Sequence, residues 1–255
     1  MRKLPLRLCA VAFGAWSCLF FAACGLDQVY LLSEPTVIYN NVYDDTTDYT
    51  RWYVEFLTNE TGNSDYYPSR GNAFTFLGTE VYYKIYNNVS TLRSHRNSIE
   101  SLNDSTNYSA AATRLVETYH YQTLGTNSGT VWSPFVECRE RNTRVRIRLT
   151  SYGDEEDFRA GVWFDGQDMN VVPYRNDGRY SFDFFNKADD RNPSTPNVPP
   201  VETVSNDGDY WHMASGGSDA YYVQLYAVAV GRDNNYTPSY SLVLDLGTIP
   251  ILKNQ

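Results

Sequence analysis

The chain has 255 residues, 42% of them hydrophobic and 20% charged, enough to bury a substantial core and too apolar for a disordered chain. Its formal net charge is −9 and no basic stretch carries interleaved aromatics, so nucleic acid is not an expected partner. Aromatics reach 15%, with 22 Tyr, a composition that favours strands.

Residues 1–7 carry Arg2, Lys3 and Arg7 and no acid, and Leu8 to Ala23 are apolar or small apart from Ser17. A basic start, a short apolar run and the small residues Ala22 and Ala23 make an export signal over 1–23. The run is shorter than the roughly 20 residues a spanning helix needs, and Gly25 and Asp27 follow it. Phe21-Ala22-Ala23-Cys24 resembles a bacterial lipobox, in which the signal is cut before a cysteine that carries diacylglycerol. Phe21 stands where Leu is usual, a looser box similar to those of spirochaetal lipoproteins. The stretch "CGLDQVYLLSEP" (24–35) resembles the start of mature treponemal lipoproteins. The resemblance implies lipid on Cys24, a membrane partner through that anchor, and a place in the bacterial cell envelope. A secretory signal that leaves Cys24 free and an uncleaved anchor are the alternatives.

Cysteine usage agrees with export. Cys9 and Cys18 leave with the signal and Cys24 takes the lipid, so Cys138 remains alone and no internal disulfide is expected. No Cys-X-X-Cys pair or Cys/His cluster occurs, so neither a metal nor another cofactor is expected.

Residues 24–50 read as the lipidated N-terminus and a solvated tether, with Asp44, Asp45 and Asp48 among Thr and Asn and a short strand near Thr36–Tyr39. The domain proper is expected over 51–255. In "RWYVEFL" (51–57), Trp52, Val54 and Phe56 alternate with Tyr53, Glu55 and Leu57. In "TEVYYKIY" (79–86), Val81, Tyr83 and Ile85 alternate with Tyr82, Lys84 and Tyr86. The period then changes near 90–122. Ala112, Leu115, Val116 and Tyr119 share a helical face, Leu92, Ile99 and Leu102 make a weaker stripe, and "NDSTN" (103–107) separates them. This predicts a helical hairpin inserted into a β fold. "RVRIRL" (144–149) returns to period two, with Val145, Ile147 and Leu149 inward and Arg144, Arg146 and Arg148 toward water. "RAGVWF" (159–164) and "YSFDFF" (180–185) are further strands. Four Pro mark 186–209 as a long surface loop. "YYVQLYAVAV" (221–230) and "YSLVLDL" (240–246) close the chain as long strands.

Tyr221, Val223, Leu225, Ala227 and Val228, a polar loop, and Pro238-Ser239 before the last strand resemble the closing strands of a fibronectin type III domain. "LGTEVYYKIY" (77–86) resembles that family's middle strand. The resemblance implies a mainly β fold, an immunoglobulin-like (fibronectin type III-like) β-sandwich with an inserted helical hairpin. One face of each strand packs inward and the Tyr-rich opposite faces are expected at the surface.

Catalytic chemistry is not legible. His95, His120 and His212 accompany no GxSxG or HExxH motif, and no catalytic residue is assigned. "GDEEDF" (153–158) and "FDGQDMN" (164–170) read as hairpin turns rather than calcium loops or a glycosidase carboxylate pair. The Asn-X-Ser/Thr triplets at Asn59, Asn88, Asn103, Asn107 and Asn235 reflect asparagine abundance. Aromatics carry the functional content: Trp163, Trp211, Tyr210, Trp132 and the Tyr66–Tyr67 pair are candidate anchors, with a core the favoured place for Trp163 and Trp132. Trp211 and Tyr210, next to the Pro-rich loop, are the expected ligand-binding residues. The chain therefore reads as an exported, lipid-anchored envelope lipoprotein, not an enzyme, with a structural role or a protein or glycan ligand. The alternatives are an envelope-tethered carbohydrate-active enzyme and a secreted β-sandwich without lipid.

Overall fold

Strands β1 (Thr36–Tyr39), β2 (Val54–Leu57) and β3 (Phe74–Tyr86) come first, followed by helices α1 (Val89–Glu100) and α2 (Ala110–Thr113). Short strands β4 (Gln122–Thr123), β5 (Gly125–Thr126) and β6 (Val136–Glu137) lead to β7 (Arg144–Arg148) and β8 (Gly161–Phe164). Then come β9 (Gln167–Asp168), β10 (Pro173–Arg175), β11 (Tyr180–Ser181) and β12 (Tyr210–Trp211), and last the long β13 (Ala220–Asp233) and β14 (Pro238–Leu252). The structure, a computed structural model, describes residues 30–40, 48–127, 134–152, 158–175, 180–182, 208–211, 213 and 220–252. The expected signal, Cys24, Trp132, His212 and nearly all of the Pro-rich loop lie outside these residues, as do 153–157 and 183–185.

The molecule is mainly β. One antiparallel sheet has the order β1-β2-β7-β8-β9. A second is built on β3, β13 and β14, and the far edge of β3 is covered in turn by β6, β4 and β12. β5, β10 and β11 make a small third sheet. Period two puts the apolar residues of the first two sheets into one core: Val54 and Phe56, Val145 and Ile147, and Val162 from one sheet meet Val81, Tyr83 and Ile85, then Val223, Leu225 and Ala227 from the other. Val223, Leu225 and Ala227 are fully buried, as their alternation predicts.

The other face of the second sheet departs from expectation. Tyr82, Tyr86 and Tyr226 are buried, not solvent-facing, because the helical insertion between β3 and β4 lies over them. Leu92, His95 and Ile99 of α1 and Ala111, Ala112 and Leu115 make a second core with these tyrosines, Val228 and Val243. α1 starts at Asn88, whose side chain accepts the Thr91 N–H at 2.9 Å. The second arm of the hairpin is shorter than its apolar stripe suggests. α2 makes one turn, Arg114–Thr118 widens into a π turn, and His120 ends it at φ 53°. Leu115 is buried there, while Val116 and Tyr119 are half-buried.

Two further differences concern charge and boundary. Arg148, expected to face water, is buried. Its guanidinium donates to the Thr50 carbonyl at 3.0 Å and lies among Tyr53, Tyr152 and Phe158. The folded unit begins at Leu31, inside the segment expected to be tether: Leu32 is buried and β1 pairs with β2.

Candidate functional site

The outward face of the five-stranded sheet gathers charge and aromatic surface in one row. The register sets Tyr39 opposite Glu55, Glu55 opposite Arg146, Arg146 opposite Trp163 and Trp163 opposite Asp168. Cross-strand neighbours on one face of a sheet are in reach of one another, so these side chains act as a unit. Glu55 accepts from Arg144 Nε at 2.7 Å and Nη2 at 3.0 Å, a bidentate pair, and Arg146 Nε stands 3.4 Å from its Oε1. The Glu55 hydrogen bond pushes the Arg144 pKa further up, so that guanidinium stays charged. Arg146 lies over the Tyr53 ring at 4.8 Å, and Tyr53 stacks on Tyr39 at 4.6 Å.

Trp163 is half-buried and lies down along its own strand over Gly161. A Cβ at position 161 would sit 2.7–3.2 Å from the six-membered ring of the indole, so glycine leaves the room the ring occupies. The β8–β9 hairpin turns at Asp165-Gly166, with φ 51° and 83°, as "FDGQDMN" predicts. The turn aims Asp165 back at the sheet. Its Oδ1 accepts the Arg144 N–H at 2.9 Å and its Oδ2 accepts from Arg141 Nη2 at 3.4 Å. Glu55, Arg144, Arg146, Trp163, Asp165 and Gly166 line an open cleft of about 410 Å³.

The cleft presents its cations to solvent and holds its carboxylate below them. The Glu55 side chain is 5% exposed and both its oxygens are engaged, whereas those of Arg144 and Arg146 are 51% and 44% exposed. Solvent therefore meets guanidinium donors beside an indole, with the partner carboxylate underneath.

The other sequence candidates are placed elsewhere. Tyr210 is buried edge-on to Tyr221, so it is not a surface anchor. Trp211 packs on the helical core and meets His95 edge-on at 4.7 Å. Tyr66 packs on Phe74, and Tyr67 donates to the Glu60 carbonyl at 2.9 Å. His95 is buried, stacked on Tyr119 at 3.9 Å with Nδ1 3.1 Å from the Tyr86 hydroxyl, and burial lowers its pKa to about 4. His120 is exposed. Burial, with the Glu60 charge second, raises the Cys138 thiol to about 11, which leaves it inert at neutral pH.

Three buried ionisable residues carried no signal in the sequence. Arg175 Nη1 donates to both Asp209 oxygens at 3.0 and 3.1 Å, and Tyr83 donates to Asp209 Oδ2 at 2.8 Å. Glu60 is fully buried. Its Oε2 accepts the Arg139 N–H at 3.3 Å, Oε1 has no partner among the described residues, and burial raises its pKa to about 7.

Fold and site together define a mainly β protein with a charged, aromatic-walled cleft on one sheet. In comparisons with protein-family models, curated proteins and solved structures, nothing matches this chain. Among the described residues no helix is long and apolar enough to cross a membrane, which leaves strand-based crossing unaddressed.

Proposed function

We propose that this chain is an exported, lipid-anchored envelope protein whose domain binds a ligand in the cleft on the five-stranded sheet. The observation that carries the binding role is Trp163 laid over Gly161 beside the half-exposed Arg144 and Arg146 guanidinium groups. Anchoring rests on the export signal that ends in Ala22-Ala23-Cys24. The order β3-β13-β14 in one sheet and β1-β2-β7 in the other supports an immunoglobulin-like sandwich, whose C-F-G and A-B-E strands have those orders. A binding role is favoured over an enzymatic one because Glu60, whose carboxyl burial raises to about 7, is sealed from substrate, and Glu55 is spent on arginine.

The test is made in intact cells with the full chain. A photo-crosslinking amino acid at position 168, opposite Trp163 in the register, gives a covalent adduct, and the same group at the exposed Tyr236 gives none. Cys24→Ala abolishes labelling by a fatty acid and moves the protein from the detergent phase to the aqueous phase. Adducts at both positions or at neither remove the binding role. Equal fatty-acid labelling of wild type and Cys24→Ala removes the anchor and leaves a secreted protein.

A further inference from the structure

We infer that the cleft takes a saccharide bearing a carboxylate, with the sugar ring against the Trp163 indole and the carboxylate on Arg146; this rests on the binding role proposed above. The geometry begins with the indole. Only a residue without a Cβ at 161 lets the ring lie along the strand, and a ring so placed offers a face rather than an edge. The face of an aromatic ring is its negative side, and the C–H groups of a pyranose are a weakly positive, flat partner for it. Arg146 is the direct cross-strand neighbour of Trp163, and such neighbours stand about 5 Å apart at Cβ, the span of one sugar ring. A ligand on the indole therefore has its substituents at the guanidinium.

Donor accounting gives the sign of the ligand. Glu55 occupies Nε and Nη2 of Arg144 and faces only Nε of Arg146. The two Nη groups of Arg146 have no acceptor among the described residues, and its side chain is 44% exposed. A guanidinium fork with both outer nitrogens open matches a planar carboxylate, which accepts two parallel bonds and brings the opposite charge, whereas a hydroxyl does neither. On a chain of net charge −9, Arg141, Arg144 and Arg146 meet solvent here while Glu55 lies beneath them. The nearby carboxylates Asp165 and Asp168 are paired with Arg141 and Arg159, so the open nitrogens at the cleft are those of Arg146. The cleft, at about 410 Å³, has room for a short saccharide.

The experiment uses the full-length protein purified in detergent and calorimetric titration with matched pairs: trigalacturonate against galactotriose, and 3′-sialyllactose against lactose. The acidic member of at least one pair binds about tenfold or more tightly than its neutral partner, and methyl esterification of the carboxylate removes that advantage. Arg146→Gln brings the acidic-to-neutral ratio toward one. Gly161→Ala, which displaces the indole without deleting it, weakens the acidic ligand, and Trp163→Leu repeats that loss should Gly161→Ala lower the melting temperature. A neutral saccharide bound as tightly as its acidic partner, or a ratio unchanged by Arg146→Gln, overturns the ligand class and leaves the binding role standing. Failure of both acidic probes overturns the ligand class as well, and the crosslinking at position 168 then shows separately whether the cleft binds anything.

Discussion

Asparagine recurs where the backbone lacks a partner. Asn103 donates to the Val243 carbonyl and accepts its N–H, closing part of the free edge of β14 with one side-chain amide. Asn87 does the same for Met213, Asn63 for Ser33, and Asn127 accepts the Val172 N–H. An amide carries the donor and acceptor of a peptide group, so it substitutes for a strand. Two buried ionisable residues work against each other in pH. Glu60 has a folded pKa raised to about 7, so its contribution is most favourable in acid and is lost as pH climbs from about 4.5 to 7. His95 has a folded pKa lowered to about 4, so its contribution is present above about 6.5 and is lost as pH falls to 4. Each amounts to about 3 kcal/mol, and over pH 4–7 the two nearly cancel. Urea titrations across that range are expected to show stability falling on acidification in Glu60→Gln and rising in His95→Gln. Parallel pH profiles for wild type and both variants would remove the account.

β13 is buried on both faces, and adjacent residues on it serve different cores. Leu225 points between the two sheets, and Tyr226 points into the helical layer, where its hydroxyl is buried without a partner among the described residues. Leu225→Ala opens a cavity in a fully buried site and is expected to cost about 2–5 kcal/mol in chemical denaturation. Tyr226→Phe removes a desolvated hydroxyl and keeps the ring, so it is expected to be neutral or stabilising by about 1 kcal/mol. A large loss from Tyr226→Phe would mean that the hydroxyl has a partner in solution.

Distant parts of the chain are fastened by one buried ion pair. Asp209 follows the Pro-rich loop, yet it is held by Arg175 and Tyr83, and its carbonyl accepts the Ile85 N–H at 2.8 Å. Lys84 Nζ adds a bond to the Gly208 carbonyl at 2.7 Å. These contacts lay β12 parallel along β3. Removing one charge leaves the other desolvated, so Arg175→Met is expected to cost about 3–5 kcal/mol, whereas Arg175→Met with Asp209→Leu recovers most of that loss. Equal midpoints for the single and double variants would show that the pair is not the fastening.

Strand positions were legible because period two is local. "RVRIRL" announces β7 and its inward Val145 and Ile147, and Asp165-Gly166 announces a tight turn, from backbone geometry and the apolar effect alone. The helical insertion was legible in the same way, through the change of period near 90–122. Which faces the helices cover was not. Tyr82 and Tyr86 look like an outward face until the helical insertion after β3 folds back on them, and Arg148 looks like Arg144 until Thr50 and Tyr53 close around it. The cleft belongs to this second kind. Trp163 was recognisable as an aromatic with two possible fates, but Glu55, Arg146 and Trp163 are far apart in the chain and meet only through strand register. Pairing between strands is a long-range choice, decided by which faces bury the most apolar surface, and only the assembled sheets fix it.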